Sequence, residues 1–352
     1  MSSLFAFIMA GGSGERFWPM SRSRTPKHLL RLLDERTLLE TTLARLDGVV
    51  PVEQTFVLTN AAQYEATCAV VPSLPPGNVI AEPAKRDTAP ACALATAVAA
   101  RVAPDAICAV LPADAMIHDV GGFRSQFLDA ADAAAEGAIV TIGIPPTHPA
   151  TGFGYLETGK PMAPGRNGSR VLRLKRFVEK PDHANATRYF EDGNFYWNAG
   201  IFLWKASTFL REARRQTPEL AAFIEGCTAD APLGDYLTKH FAGLPKISVD
   251  YAIMEHAEEL VAVLAEFDWD DVGAWTALPP HIGMDTHGNS FRGPVVQHAS
   301  TGNIAVSNGR TVALCGVNDL VVVETPDAIL VCHRDAVQYV KNLHVHLPDE
   351  LK

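Results

Sequence analysis

Gly11-Gly12-Ser13-Gly14-Glu15-Arg16-Phe17-Trp18-Pro19 follows directly on the apolar run Leu4-Phe5-Ala6-Phe7-Ile8-Met9-Ala10. An unbroken apolar run ended by glycines reads as a buried strand. Three glycines in four residues let the chain turn sharply and bring its backbone close to a ligand. The N–H groups of such a turn can cradle phosphate oxygens. Between positions 16 and 31 stand Arg16, Arg22, Arg24, Lys27 and Arg31 with no acid among them, although the chain carries a net charge of −10. A cationic island behind a glycine turn, on an acidic protein, predicts a polyphosphate site. The turn is not a P-loop, because Glu15-Arg16 follows Gly14 where Lys-Ser/Thr would stand. It is not a dinucleotide fingerprint either, because Phe17 occupies the third glycine position. A plain strand-ending turn is the competing reading, and the clustered cations weigh against it.

Outward from this turn, the first half alternates apolar runs with helical patterns. Strands are predicted at 54–60, 78–83, 106–112 and 138–144, and helices at 37–47, 87–101 and 122–136. Asp87 or Thr88 can cap the second helix, Pro90 suits its first turn and alanines fill its body. This alternation predicts an α/β fold whose mixed, mostly parallel sheet carries helices on both faces. Ligands bind such sheets beyond the carboxyl ends of the strands, where both the glycine turn and Pro112-Ala113-Asp114 lie. Further strands are expected at 171–179 and 199–204, with helices at 205–215 and 249–256. From about Gly288 short β-like runs at 294–297, 304–307, 311–315, 320–324 and 328–331 replace helical periodicity until 335–343. A small C-terminal β domain, sandwich-like or a short β-solenoid, is therefore expected, with 1–285 and 286–352 as the two domains.

A chain of 352 residues has room for two such units. Its 47% hydrophobic and 20% charged content place it among globular proteins. No apolar run reaches membrane-spanning length, and Met1-Ser2-Ser3 lacks the basic start of a signal peptide. The six cysteines show no CxxC pairing, which fits reduced, mostly buried thiols in a cytoplasm. The acidic balance argues against nucleic acid as a partner. The twelve histidines form no metal motif, with His344 and His346 expected in an exposed strand or tail. There is no Gly-x-Ser-x-Gly elbow for acyl chemistry.

Asp114, at the end of its strand and near a phosphate loop, is a natural magnesium ligand, with a helix or turn cap as the plainer role. A second acid is available in Asp268-Trp269-Asp270-Asp271, where spacing alone leaves open which one points inward. Lys180 ends the strand in Phe177-Val178-Glu179-Lys180-Pro181 and can pair with a phosphate or simply be a surface lysine. Asn198 precedes an apolar strand and suits a polar ligand such as a sugar. Gly152-Phe153-Gly154-Tyr155 can approach a ligand or begin a hairpin. Glu82-Pro83-Ala84-Lys85-Arg86-Asp87-Thr88 offers carboxylate and hydroxyl groups to a base or ribose, and starts a capped helix in either case.

Taken together, these stretches resemble the sugar-1-phosphate nucleotidylyltransferases, and most closely their mannose-1-phosphate guanylyltransferase branch, over about residues 4–342. The glycine turn with Pro26-Lys27 marks the superfamily. Trp18-Pro19, Arg86-Asp87-Thr88-Ala89-Pro90 and Asp250-Tyr251-Ala252-Ile253-Met254-Glu255 point to the branch. The resemblance implies a Rossmann-like catalytic domain followed by a small left-handed β-helix. It implies transfer of GMP from GTP to mannose 1-phosphate, with pyrophosphate leaving, assisted by Mg²⁺. By position, Gly11, Gly12, Ser13 and Gly14 would hold the triphosphate, and Arg16 and Lys27 would neutralise it. Asp114 and Asp271 would hold the metal, and Lys180 would bind the sugar phosphate. Gly154, Glu179, Asn198 and Asp250 would hold the sugar, and Glu82, Arg86 and Thr88 would read guanine or ribose.

Ala115 stands where the family's Pro-Ala-Asp-His pattern has histidine. The long bacterial members continue into an isomerase domain, so isomerase activity is not expected of a chain ending at Lys352. A homodimer in the cytoplasm is the expected setting. The competing readings are a silent regulatory relative that binds nucleotide-sugar, or the same reaction with another nucleotide or sugar 1-phosphate.

Overall fold

In the computed structural model, which describes residues Ser3–Lys352, the apolar run before the glycine turn is strand β1 (Leu4–Met9). Phe5 and Phe7 enter one hydrophobic core, Ala6 and Ile8 another. That alternation places β1 inside a sheet covered on both faces. The next strands are β2 (Thr55–Asn60), β3 (Val79–Glu82), β4 (Ile107–Pro112) and β5 (Ile139–Ile144). Helices α1 (Leu38–Leu46), α2 (Tyr64–Val70), α3 (Thr88–Val102) and α4 (Val120–Ala135) alternate with them. Strands β6 (Tyr155–Pro161), β7 (Val171–Val178), β8 (Phe195–Lys205) and β9 (Leu260–Leu264) complete the sheet, whose order is β3-β2-β1-β4-β8-β5-β9-β7-β6.

Parallel pairing prevails only in the first half of this order. There β1 lies between β2 and β4 with all directions alike, in the register Met9↔Pro112. Strand β8 then inserts antiparallel between β4 and β5, and β6 and β7 also run antiparallel to their neighbours; β5 and β9 are again parallel. The sheet is thus mixed, with fewer parallel pairs than strand–helix alternation suggests. A buried apolar run carries no record of its direction, so pairing sense is decided by how the chain returns. Because β1 is flanked by β2 on one side and β4 on the other, the chain winds away in both directions from it. The crevice at this switch point opens between the turn after Met9 and the turn after Pro112.

Helix α3 starts at Asp87, whose carboxylate accepts the Thr88 N–H at 2.8 Å. Its alanine-rich body is buried from Ala89 to Ala99, because small side chains let it lie flat between the sheet and helices Ala206–Gln216 and Pro218–Gly226. Several expected elements are shorter or irregular. The segment 249–256 is a helical turn Val249–Ala252 followed by a 3-10 turn Met254–His256. The segment 335–343 is a 3-10 turn Arg334–Tyr339 and a short helix Val340–Leu343. Residues 344–346 form a further 3-10 turn, not a strand. Of the six free cysteines Cys92, Cys108 and Cys227 are buried and Cys315 is exposed. No helix among the described residues is long and apolar enough to cross a membrane.

The C-terminal region coils. Strands β10 (Ser290–Arg292), β12 (Ile304–Ser307) and β14 (Leu320–Glu324) stack in parallel on one side, and β11 (Val295–His298) and β13 (Val312–Cys315) on another. Strand β15 (Ile329–His333) turns back antiparallel on β14 and ends the stack. Asn289 and Asn303 repeat at the same corner. Asn289 Oδ1 accepts the backbone and side-chain N–H of Asn303, and Asn303 Oδ1 accepts the Leu320 N–H at 2.9 Å. Both asparagines are buried, so each rung satisfies the polar groups of the next. Val306, Val323, Val337 and Val340 of this region share a core with Phe17, Trp18 and Trp275. The coil is thereby packed against the back of the glycine turn.

Candidate active site

Gly14 has φ +65°, and a Cβ there would stand 2.5 Å from Lys27 Cβ and 2.7 Å from Lys27 N. Only glycine lets the turn close over Lys27 in this way. Gly11 and Gly12 are under no such demand: a Cβ on either would meet nothing within 4 Å. Their bare backbone borders a cavity of about 350 Å³, shared with Glu82, Lys85, Thr88 and Lys246. The packing of the chain itself does not account for glycine at these two positions, whereas close approach of a ligand to the backbone does.

Lys27 is buried, lies 5.7 Å from the centre of the Phe17 ring, and reaches Asp114 Oδ2 at 2.9 Å and the Asp271 carbonyl at 2.5 Å. Arg16 donates to the Gly273 carbonyl at 3.3 Å. Arg16, Lys27, Asp114 and Asp271 border one cavity of about 370 Å³, together with Ser13, Gly14 and Lys341. The Ser13 hydroxyl donates to Glu15 at 3.0 Å. Burial pushes the Asp271 carboxyl up to about 6, against the opposing pull of Lys27 and Arg16, while Asp270 and Asp114 push it further up. A carboxyl held this far above its ordinary value is short of positive charge, and a cation would restore its ionised form.

The three acids at 268–271 have different partners. Asp268 accepts the backbone N–H groups of His118 and Asp119 at 2.8 and 2.7 Å. Asp270 accepts the Val272 N–H at 2.7 Å and pairs with His281 Nε2 at 3.1 Å, while the other nitrogen of His281 meets His118 Nε2 at 2.9 Å. Both are consumed in holding 116–119 against 268–281. Asp271 faces the cavity, and a Cβ on Gly273 would stand 2.8 Å from its Oδ2. Asp114 and Asp271 therefore line one wall with Lys27 between them. Among the described residues no third acid, histidine or cysteine joins them in a metal-holding group. Two carboxylates beside a cavity lined by Arg16 and Lys27 are a donor set that would suit Mg²⁺ if phosphate oxygens and water completed its shell.

Asp114 and Asp271 also border a third cavity, of about 240 Å³, with Gly154, Glu179, Asn198 and Asp250. Gly154 is required there: a Cβ would lie 2.7 Å from Glu179 Oε2 and 2.9 Å from Phe177 Cζ. Asn198 accepts the Thr141 hydroxyl at 2.8 Å and the Gly200 N–H at 3.1 Å, which turns its amide nitrogen toward Asp250 at 3.5 Å. Burial, then the nearby Glu179 charge, pushes Asp250 up to about 6. Lys180, at φ +43°, reaches Glu179 Oε1 at 2.6 Å from an exposed position. Phe153 and Trp269, both lining this pocket, meet edge to face with 5.5 Å between ring centres. Ala115 lines it as well, with its carbonyl held by Arg45 at 3.0 Å.

The first and third cavities share Met9, Thr88 and Pro112, so the three form one trough across the switch point. Burial raises Glu82 to about 7 at the far end. Thr88 accepts the Val249 N–H at 2.8 Å, which ties the start of α3 to the segment that carries Asp250. Arg86, expected on the base-reading side, instead donates to the Ala242 carbonyl; its neighbour Lys85 borders the cavity. Sequence reasoning also missed Lys246, Lys341 and Trp269 as lining residues. Lys85 lies within the motif 82–88, whereas Lys246 and Lys341 are distant in sequence and carry no local motif.

Comparison with known proteins agrees with this architecture. Residues 5–282 match the nucleotidyl transferase family, and residues 293–347 match the MannoseP isomerase/GMP-like beta-helix domain. The chain is 38% identical to xanthan biosynthesis protein XanB of Xanthomonas campestris pv. campestris (strain B100), over 97% of its length and 73% of that protein. It is also 38% identical to the mannose-1-phosphate guanylyltransferase of Escherichia coli (strain K12), over the same shares. A solved Thermus thermophilus structure, described as a mannose-1-phosphate geranyltransferase, superposes with a TM-score of 0.89 at 36% identity, covering 98% of this chain and 99% of that one. With matches over nearly its whole length in sequence and in fold, the chain belongs to the nucleotidyl transferases, among the mannose-1-phosphate guanylyltransferases.

Proposed function

We propose that the protein transfers GMP from GTP to mannose 1-phosphate through the residues of this trough. The observation that carries the reading is the sharing of Asp114 and Asp271 between the cavity of Arg16 and Lys27 and the cavity of Asn198 and Asp250. A phosphorus atom at that junction would have a sugar phosphate on one side and a leaving pyrophosphate on the other. An oxygen of mannose 1-phosphate attacks the α-phosphorus. The new P–O bond forms as the bond to the bridging α–β oxygen breaks, and the electron pair leaves with pyrophosphate.

Such a transfer asks the protein mainly for positioning and charge neutralisation. Gly11 and Gly12 offer open backbone to the phosphates, and Arg16 and Lys27 meet the charge growing on the leaving group. Lys180 meets the sugar phosphate, while Gly154, Glu179, Asn198 and Asp250 fix the sugar hydroxyls. Glu82 and Thr88 read the base and ribose, with Lys85 in place of Arg86. Asp114 and Asp271 would hold Mg²⁺, which supplies a counter-charge to the phosphate oxygens when bound. The use of GTP and a sugar phosphate by a chain whose cysteines are free supports a cytoplasmic setting.

The test is pyrophosphate release with Mg²⁺ and mannose 1-phosphate, run in parallel with GTP, ATP, dTTP and UTP, with mass detection of the product. GDP-mannose formed preferentially from GTP is the expected result. Another preferred nucleotide overturns the base assignment, and binding of GDP-mannose without turnover overturns the enzyme reading in favour of a silent relative. Asp271→Asn should raise the Mg²⁺ concentration needed for half-maximal rate by about tenfold or more. An unchanged Mg²⁺ titration would remove Asp271 from the metal site.

A further inference from the structure

The cavity that holds Arg16 and Lys27 is also lined by Lys341, which comes from the C-terminal region and not from the catalytic sheet. Its placement is fixed by packing. Val337 and Val340, each 3% exposed, are buried in the core that contains Phe17 and Trp18, and this seats helix Val340–Leu343 on the turn Glu15–Phe17. Two polar latches hold the same surfaces together: Trp18 Nε1–H donates to the Leu351 carbonyl at 3.0 Å, and Arg22 pairs with Asp327 at 3.0 Å.

The three cations of this cavity differ in what they already hold. Lys27 is engaged with Asp114 and the Asp271 carbonyl, and Arg16 with the Gly273 carbonyl. Lys341 has no ion pair with the protein among the described residues, is exposed, and borders the cavity. The cavity shares Asp114 and Asp271 with the sugar pocket, and its Ser13 and Gly14 continue the glycine turn from Gly11 and Gly12 of the base pocket, which also holds Glu82. A triphosphate whose base sits near Glu82 would direct its terminal phosphates here. An ammonium with no ion-pair partner among the described residues, held at that place by a buried apolar seam, suits a polyanion.

Building on the function proposed above, we propose that Lys341 binds the β- and γ-phosphates of the nucleotide and the pyrophosphate they become, so that the C-terminal coil completes the active site. The ligand class is an inorganic or nucleotide-borne pyrophosphate. The coil then has two tasks: its valines support the glycine turn from behind, and its lysine faces the phosphates in front.

The test uses the full chain, with Lys341→Met and Lys341→Arg beside the parent. Calorimetric titration with inorganic pyrophosphate, and separately with mannose 1-phosphate, both with Mg²⁺, is followed by steady-state kinetics. Lys341→Met should weaken pyrophosphate binding and raise the KM for GTP about tenfold, the scale of a charge-assisted contact open to solvent. Mannose 1-phosphate binding should be unchanged, and Lys341→Arg should recover most of the loss. The effect should shrink as ionic strength rises. Unchanged pyrophosphate affinity in Lys341→Met overturns the proposal. So does an equal weakening of both ligands, which would mean a general disturbance. If the parent binds pyrophosphate but forms no GDP-mannose, the guanylyltransferase reading fails while the pyrophosphate comparison still decides for or against Lys341. If the parent binds no pyrophosphate, the lysine proposal itself is overturned.

Discussion

The sheet half and the coil half treat their polar groups in opposite ways. After β1, at the end of β3, and in the loop that follows β9, the chain leaves bare backbone and carboxyls raised by burial: glycines at 11 and 12, Glu82 raised to about 7, and Asp271 raised to about 6. In the coil, Asn289 and Asn303 satisfy one another rung by rung, and Glu324, nearly inaccessible, accepts the Ser307 hydroxyl at 2.9 Å and the Asn308 N–H at 3.0 Å. A ladder whose buried polar side chains pair with one another is a scaffold, whereas a region that leaves such groups short of partners is prepared for a ligand. Lys341 is the exception that ties the halves together, since it sits on the scaffold and faces the ligand side.

The largest effect that would break this contrast is at Lys27. Lys27→Ala should cut turnover by about 10²–10³-fold, the usual cost of losing one charge-stabilising donor. The melting temperature should change little, because its partner Asp114 is 40% exposed and can be solvated. A melting loss that matches the activity loss would assign Lys27 to the scaffold.

Two glycine substitutions sharpen the comparison within a single turn. Gly14→Ala should cost about 1–2 kcal/mol of stability, because an L residue at φ +65° is strained and its Cβ meets the Lys27 backbone. Gly12→Ala should leave stability within about 0.5 kcal/mol while raising the KM for GTP, because its methyl group would occupy space that the protein leaves open. Chemical denaturation and steady-state kinetics together separate the two, and equal stability losses would refute the distinction.

In the coil the order of effects should reverse. Asn303→Ala removes the acceptor of the Leu320 N–H and the side-chain donor to Asn289 Oδ1 and the Val317 carbonyl, so it should cost about 1–3 kcal/mol of stability. The KM for both substrates should hold. A large rise in the KM for GTP without loss of stability would give the ladder a functional role.

The smallest effect is a pH dependence at Glu82. Burial raises its carboxyl from 4.5 to about 7, so the folded state keeps the proton over a range where the unfolded chain has lost it. Folding is therefore not penalised below the unfolded value, and stability falls as pH rises from that value through about 7. Glu82→Gln should match the parent at about pH 4 and melt higher above about pH 7. The KM for GTP of the parent should fall as pH rises through about 7, where the carboxylate becomes an acceptor for base N–H groups, and the Gln variant should lack that step. Coincident profiles would exclude Glu82 from base reading.

Much of this was legible in local pattern. The glycine turn after an apolar run, the Asp87 cap on an alanine-rich helix, and Asp114 at a strand end all follow from chemistry within a few residues. Among Asp268, Asp270 and Asp271, spacing could not choose. The partners that decide are the backbone of His118 and Asp119 and the ring of His281, and all of these lie outside the local stretch. The resemblance assigns Arg86, not Lys85, to the base, and only the carbonyl of Ala242, distant in sequence, draws Arg86 away.

The amino-acid sequence by itself determined where strands end, where backbone can turn left-handed, and which charges gather near position 16, since all of these depend on neighbours in the chain. Tertiary structure alone decided that β8 runs against β4 and β5, that Asp268 and Asp270 are spent on holding loops, and that Lys341 reaches a cavity built by the other end of the chain. The physical reason is that apolar burial sets which faces pack but carries no direction or address, so groups far apart in sequence meet only when the packed chain returns them to one place.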